Sequence, residues 1–438
     1  MCRTARSRFR RLRSLLPVRI FRILLPKVEL TIASALSTPS ATASRSRVFT
    51  VLLVLGVIIT AVNLRIVIIA VSPLLDEIRA STGLSSTAAG LLTTLPVLCF
   101  GLFAPLAPRL ARRFGLDLVL LGTMIVLTLG ILVRFAPGTP LLFIGTGVIG
   151  IAIAIANVLL PASIKRDFPH QLGLMTGLLT MAMSASGTFG AGLTIPLQKL
   201  TGFDWRGTLA LWAIPVVVAV IALIPRLRLN QPDKRGPAHR HVPINLWRDP
   251  VAWSVTLIMG LQSFSFYALA TWFPTMMAEH GMSSEHAGLL LSLANFAGFF
   301  SSFFVPVFAS RRRDQRVYVL AMVVCWSIAL AGLLIAPMTL TLLWMILWGA
   351  AAGAALSLSL SFITLRSPDA PHAAQLSGMA QTVGYCLAAT GPSLMGALRD
   401  TTGSWSIPLL LLQGILAIML IAGLNAGKDR LVGQKTHS

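Results

Sequence analysis

The sequence predicts an all-α membrane protein of twelve transmembrane helices, arranged as two six-helix pseudo-repeats. Three observations predict it. Of 438 residues, 55% are hydrophobic and only 11% charged, and the mean hydropathy is +0.80; soluble domains do not have this composition. Apolar runs of about 20 residues, enough to cross roughly 30 Å of hydrocarbon, recur along the chain. The second half also repeats stretches of the first.

Taken in order, the spans fall near 48–72, 84–107, 117–136, 140–161, 171–196 and 205–225, and then near 250–274, 284–309, 317–336, 340–363, 373–397 and 405–425. Pro, Gly and charged clusters separate them. Residues 1–47 read as a basic, disordered cytoplasmic tail: they are rich in Arg and lack the apolar core of a secretory signal. The segment 226–249 is polar, basic and rich in Pro, and reads as a cytoplasmic linker between the halves 48–225 and 250–425. Residues 426–438 form a short second tail.

Charge gives the orientation. The chain has 36 Lys and Arg against 14 Asp and Glu, a net charge of +22. With the N-terminus inside, thirty of the 36 basic residues fall on the cytoplasmic side, a strong positive-inside bias. A pI near 11.6 therefore points to topology and not to nucleic acid, because the charges sit between apolar runs. Both termini are expected in the cytoplasm. Four scattered cysteines give neither a disulfide framework nor metal-ligand spacing.

The repeat is visible in "GLSSTAAGLL" (83–92) and "GMSSEHAGLL" (281–290), an offset of 198 that carries Pro108 to Pro306 and Arg113 to Arg311. Gly177 and Gly190 match Gly378 and Gly391 at an offset of 201. Parallel six-helix repeats are the build of a class of secondary transporters. At this point the chain resembles the major facilitator superfamily. The loop "PRLARRFGLD" (108–117) is similar to that superfamily's loop between helices two and three, with Arg112, Arg113 and Gly115 in place. It departs at Arg112, where the family usually has an aspartate, and at Pro108, where it has glycine. "NLR" in the first span, "ANVLLPASIKRDFP" (156–169) and "MTGLLTMAMSASGTFGAGL" (175–193) resemble the cyanate and 2-nitroimidazole transporter branch. The resemblance implies a twelve-helix fold that moves a small, often anionic solute, with gating loops around Arg112, Arg113, Gly115 and Arg311.

Other motifs read as packing. "GTGVIG" (145–150) has the spacing of a dinucleotide loop but lies inside an apolar run, where small residues let helices approach closely; "GAAAG" (349–353) reads the same way. No catalytic constellation, metal cluster or nucleotide domain appears, so no enzyme and no cofactor are expected.

One charge stands deep in a span. Arg65 lies within "AVNLRIVIIAVSP" (61–73), and no acid occurs mid-span anywhere. Such a residue costs about 2.5–3.5 kcal/mol on insertion scales. Two explanations hold: the side chain snorkels to the interface, or it offers a guanidinium to an anionic or polar solute. Asn63 sits about 200° round the helix from Arg65 and is expected to bridge helices. Asn157, Gln262, Tyr267, Asn295, Gln381 and Tyr385 are the other polar candidates for a central substrate cavity.

The expected function is a permease for a small anionic or polar solute such as cyanate, a monomer in the lipid bilayer working by alternating access. Efflux of neutral 2-nitroimidazoles on the same fold is the alternative. A non-transporting membrane sensor is the rival of another class; the short linker and tail leave little room for a signalling domain.

Overall fold

The computed structural model describes residues 41–84, 86–229 and 245–434. Most of the predicted basic tail (1–40), most of the linker (230–244) and the end of the second tail lie outside the described residues. Twelve long helices follow one another: α1 (Ala41–Ile69), α2 (Ser86–Phe103), α3 (Leu116–Phe135), α4 (Thr139–Asp167), α5 (Leu172–Thr201) and α6 (Ala213–Leu229) make the first half, and α7 (Pro250–Glu279), α8 (Ser284–Ala309), α9 (Arg316–Ile335), α10 (Thr341–Arg366), α11 (Ala370–Thr402) and α12 (Ser406–Ala426) the second. Each overlaps one of the twelve predicted runs; α6 departs most, starting at Ala213 after a short helix Trp205–Leu211 and running on to Leu229, past the predicted end at 225. The chain divides after Leu53 into two compact units. The first holds the beginning of α1; the second holds everything from Val54 onward.

Ten of the spans are long and apolar enough to cross a membrane, α6 together with the short helix Trp205–Leu211 before it, and α2 with the short helix Leu106–Phe114 makes an eleventh, bent by 59°. The twelfth, α11, is the longest at 33 residues and the least apolar of the long helices. Its polar residues bear on the site described below. Acids at helix ends have local work: Asp249 accepts from the Val251 and Ala252 amides at the start of α7 (2.8 and 3.0 Å), and Asp369 accepts from the His372 amide at the start of α11 (2.9 Å). Each satisfies donors that a helix start leaves unpaired. The repeat reaches this level of detail. α5 and α11 both end on a left-handed glycine, Gly202 and Gly403, each with φ +68°, as helix C-termini prefer.

Outward faces are apolar: Leu102, Leu200 and Ile335 are 69, 83 and 81% exposed. Among lipid tails such residues gain little by burial, so close packing must hold the helices together. α8 and α10 show how. A Cβ added at Gly349 would lie 1.9 Å from the Ala294 carbonyl oxygen, and one at Gly353 would lie 2.2 Å from that of Gly298. The "GAAAG" stretch is therefore a contact of two backbones. Gly349→Ala is expected to destabilise the protein by roughly 2–3 kcal/mol through overpacking, read as a lowered unfolding midpoint in detergent. Gly414→Ala, where an added Cβ meets nothing within 4 Å, should leave the midpoint unchanged or slightly raised.

The two halves meet at the end that carries the arginine-rich loops. A Cβ at Gly173 of α5 would lie 1.8 Å from Ser310 Oγ beyond α8, and one at Gly177 would lie 2.7 Å from the Phe303 carbonyl oxygen. Thr180 Oγ1 donates to the Ser302 carbonyl (2.7 Å). On the other side of the interface, Gly378 of α11 meets Pro108, and Gly101 of α2 meets Cys386. Two turns further along the same faces the helices have parted. Asn295 precedes Ser302 by seven residues and is exposed, as are Thr94, seven before Gly101, and Ser393, seven after Cys386. The halves diverge toward the end opposite the arginine-rich loops.

Candidate substrate site

The floor of this divergence is built from both halves. Asn157 of α4, Gln381 and Tyr385 of α11 line one small cavity together with Leu160, Leu179, Met183, Met259, Leu356 and Leu360; it has room for about one water molecule. Gln381 Nε2 donates to the Asn157 backbone carbonyl (3.1 Å) and to Ser377 Oγ (2.9 Å), so a polar bond joins the halves here. Tyr385 is 6% exposed. Its hydroxyl lies within electrostatic reach of both Arg65 and Tyr267, and its ring is 5.3 Å from that of Phe100. Tyr267 meets Phe266 edge-on at 5.4 Å, and Phe266 stacks on Trp348 at 5.4 Å with planes 3° apart.

Arg65 is half-buried. Among the described residues, no hydrogen bond or ion pair engages its guanidinium. Five donors without acceptors, within electrostatic reach of the Tyr385 phenol, make a site for an acceptor-rich solute. Asn63, two residues earlier, is fully buried and donates to the Ile59 and Pro215 carbonyls at 2.8 and 3.0 Å. It ties α1 to α6 and faces away from Arg65.

The remaining candidates stand apart from the cavity. Gln262 is 3% exposed and donates to Ser263 Oγ (2.6 Å) on its own helix; its neighbour Met259, not Gln262, lines the cavity. Asn295 is exposed and donates back to the Leu291 carbonyl (3.0 Å). Arg112 and Arg113 are exposed, with Arg113 5.2 Å over the Phe114 ring. Gly115, at φ +84°, turns the chain from the short helix into α3. Arg311 lies 5.5 Å over Phe308. What packs this loop against the other half is Pro108, seated on Gly378.

Arg65 is not the only charge set among the spans, a correction to the sequence reading. Arg226, assigned there to the linker, lies inside α6 and is 1% exposed. It donates to Asp117 Oδ1 (3.0 Å), Ser163 Oγ (2.9 Å) and Asp167 Oδ2 (2.5 Å). Arg166 binds Asp117 through both terminal nitrogens at 2.8 Å and reaches Asp167 at 2.6 Å. Two arginines and two aspartates from α3, α4 and α6 thus form a neutral cluster, buried except at Arg166. In the second half, the offset of 198 puts Gln315 where Asp117 stands. Arg366 there binds Gln315, the carbonyls of Ala426 (2.7 Å) and Gly427 (3.1 Å), and Asp429 at 3.6 Å. Arg134, near the end of α3, is 2% exposed and donates to the Val67 carbonyl (3.4 Å). A cation near the end of α1 offsets the negative pole of that helix.

Comparison with known proteins bears on fold and family. The Major Facilitator Superfamily profile matches residues 53–392. An uncharacterised transporter of Bacillus subtilis (strain 168) is 41% identical over 87% of this chain and 95% of its own. The 2-nitroimidazole transporter of Escherichia coli (strain K12) is 39% identical over 87% of this chain and 96% of its own. The cyanate transport protein CynX of the same organism is 28% identical over 84% and 96%. Among solved structures, the proton:xylose symporter XylE superposes with a TM-score of 0.67 over 87% of this chain and 97% of its own, at 13% identity. FucP in the outward conformation gives 0.63 over 85% and 98%, at 14% identity. With twelve helices in two repeats, a match over most of its length and these relatives, the chain belongs to the Major Facilitator Superfamily, in the branch of the 2-nitroimidazole and cyanate transporters, and is a membrane transporter, not an enzyme.

Proposed function

We propose that the chain moves a small anionic or polar solute such as cyanate across the bacterial plasma membrane, as a monomer working by alternating access. The observation that carries this reading is Arg65: a guanidinium with no hydrogen-bond or ion-pair partner among the described residues, within electrostatic reach of Tyr385 of the opposite half. A solute bound there touches both halves, which is what lets binding bias their rocking. Asn157 and Gln381 complete the floor. Gln262 and Asn295 are proposed to meet the solute only in other states of the cycle. The loops at Arg112, Arg113, Gly115 and Arg311 act as gating loops between states. No acid lies in the cavity lining, so coupling rides on the charge of the solute itself and needs no cofactor.

A second reading has a specific observation behind it, the 39% identity to a protein named for 2-nitroimidazole. A nitro group is planar with two acceptor oxygens, so it presents to a guanidinium much the same face as a carboxylate. The aromatic group around Phe266 would hold the ring. Equilibrium binding of cyanate and of 2-nitroimidazole to the purified protein separates the readings. The anion reading expects cyanate to bind and to displace any bound nitroimidazole. Binding of 2-nitroimidazole that cyanate does not disturb would transfer the proposal to neutral compounds.

Sidedness is proposed from charge, with the arginine-rich loops and both termini in the cytoplasm. A reporter fused at Arg313 is expected to read cytoplasmic and one at Met282 external. The reverse pattern would invert the topology.

A further inference from the structure

At the arginine-rich end of the second half, a groove of about 920 Å³ runs between the start of α9 and the end of α12. Its rim is Arg312, Arg313, Arg316 and Lys428, and its walls are Val317, Leu320, Ile421 and Leu424. The walls are not packing surface: Val317, Leu320 and Ile421 are 62, 48 and 64% exposed. The groove therefore has two chemistries in a fixed order, basic at the helix ends and apolar one to two turns into the membrane. None of these residues lines the central cavity.

The charges are unbalanced. Asp314 pairs with Arg316 at 2.5 Å, and hydrogen bonds from Arg316 hold its carboxyl below the ordinary range, so it stays ionised. Lys428 spends one donor on Asn425 Oδ1 (2.9 Å). Against four cations there is one carboxylate in the lining. A helix-end cluster of this kind sits at the depth of the headgroups, where guanidinium groups match phosphate oxygens bidentately.

We infer that this groove is a binding site for an anionic phospholipid, its phosphate held by Arg313, Arg316 and Lys428 and an acyl chain lying along Leu320 and Ile421. A soluble anion would use the rim and leave the walls bare; a zwitterionic lipid would fill the walls but find its choline or ethanolamine repelled by the rim. Basic pockets between membrane helices select acidic lipids on these grounds. The site is independent of the substrate proposal.

The test uses the purified full-length protein in detergent micelles, titrated with dioleoyl phosphatidylglycerol, dioleoyl phosphatidylcholine or inorganic phosphate. Lipid retained per protein is counted by native mass spectrometry, and the unfolding midpoint is followed alongside. Phosphatidylglycerol is expected to bind and to raise the midpoint; the other two are not. Arg313→Gln/Arg316→Gln should weaken phosphatidylglycerol about 30-fold, as removal of two surface cations implies. Arg109→Gln/Arg248→Gln, two exposed arginines outside the groove, removes the same charge and should weaken it less than threefold. Equal losses in the two variants would mean general attraction and overturn the site. So would an unchanged affinity in the groove variant, or retention of phosphatidylcholine as strong as that of phosphatidylglycerol. Inorganic phosphate reproducing the stabilisation would overturn the lipid assignment.

Discussion

Arg226→Gln is expected to lower the unfolding free energy by about 3–5 kcal/mol, a large share of what holds a membrane domain together. The reason lies in the balance of the cluster. Asp117, Asp167, Arg166 and Arg226 sum to zero, and Asp167 and Arg226 have side chains only 5 and 1% exposed. Removing one partner leaves a buried charge uncompensated, which is where losses of this size arise. Adding Asp117→Asn to Arg226→Gln restores neutrality, so the double variant should recover part of the loss. Thermal or denaturant unfolding in micelles, run as a double-mutant cycle, reads the coupling. Additive losses would show that the four groups do not act as one unit. In the second half Arg366 binds carbonyl oxygens and Gln315. Truncating it orphans neutral acceptors, at about 1–3 kcal/mol, and otherwise releases only Asp429, whose side chain is exposed, so it should do less harm than Arg226→Gln.

This asymmetry was not legible in the sequence. Asp117, Asp167 and Arg226 each stand at the end of an apolar run, where a charge that faces water and a charge that pairs across helices look alike. The Arg226–Asp117 bond spans 109 residues; nothing local announces it. The repeat offset did hold a clue, since it aligns Asp117 with Gln315, but only packing gives that difference meaning. The twelve spans were legible for the opposite reason: a bilayer demands about 20 apolar residues per crossing, and that demand is written along the chain. α11 was the hardest, because the helix that supplies Gln381 and Tyr385 is also the least apolar.

The site was legible in part. Arg65 stood out because an ionisable residue within a hydrophobic run is rare and expensive. Gln381 and Tyr385, four residues apart, were readable as one helical face, and both line the cavity. The stack of Phe266 on Trp348 was not readable, since aromatic residues in apolar helices are commonplace. Gln262 and Asn295 show the limit from the other side. Each is polar in an apolar run, yet one bonds within its own helix and the other lies on a face exposed where the halves part. Which way a polar residue points depends on helix rotation, and no single span fixes it.

The most direct measurement of the central claim is substrate affinity for Arg65→Ala and Arg65→Lys beside the unaltered protein, with surface abundance checked for all three. Arg65→Ala is expected to lower cyanate affinity at least 100-fold, the loss of a charge-assisted, two-pronged hydrogen bond of roughly 3 kcal/mol. It should insert normally, because a midplane charge has been removed. Arg65→Lys keeps the charge but not the planar fork, and should bind at least tenfold more weakly than arginine. Snorkelling makes a different forecast: lysine equivalent to arginine, and alanine nearly so. Alanine and lysine variants that bind as the unaltered protein does would mean that Arg65 does not touch the solute, and would contradict the account.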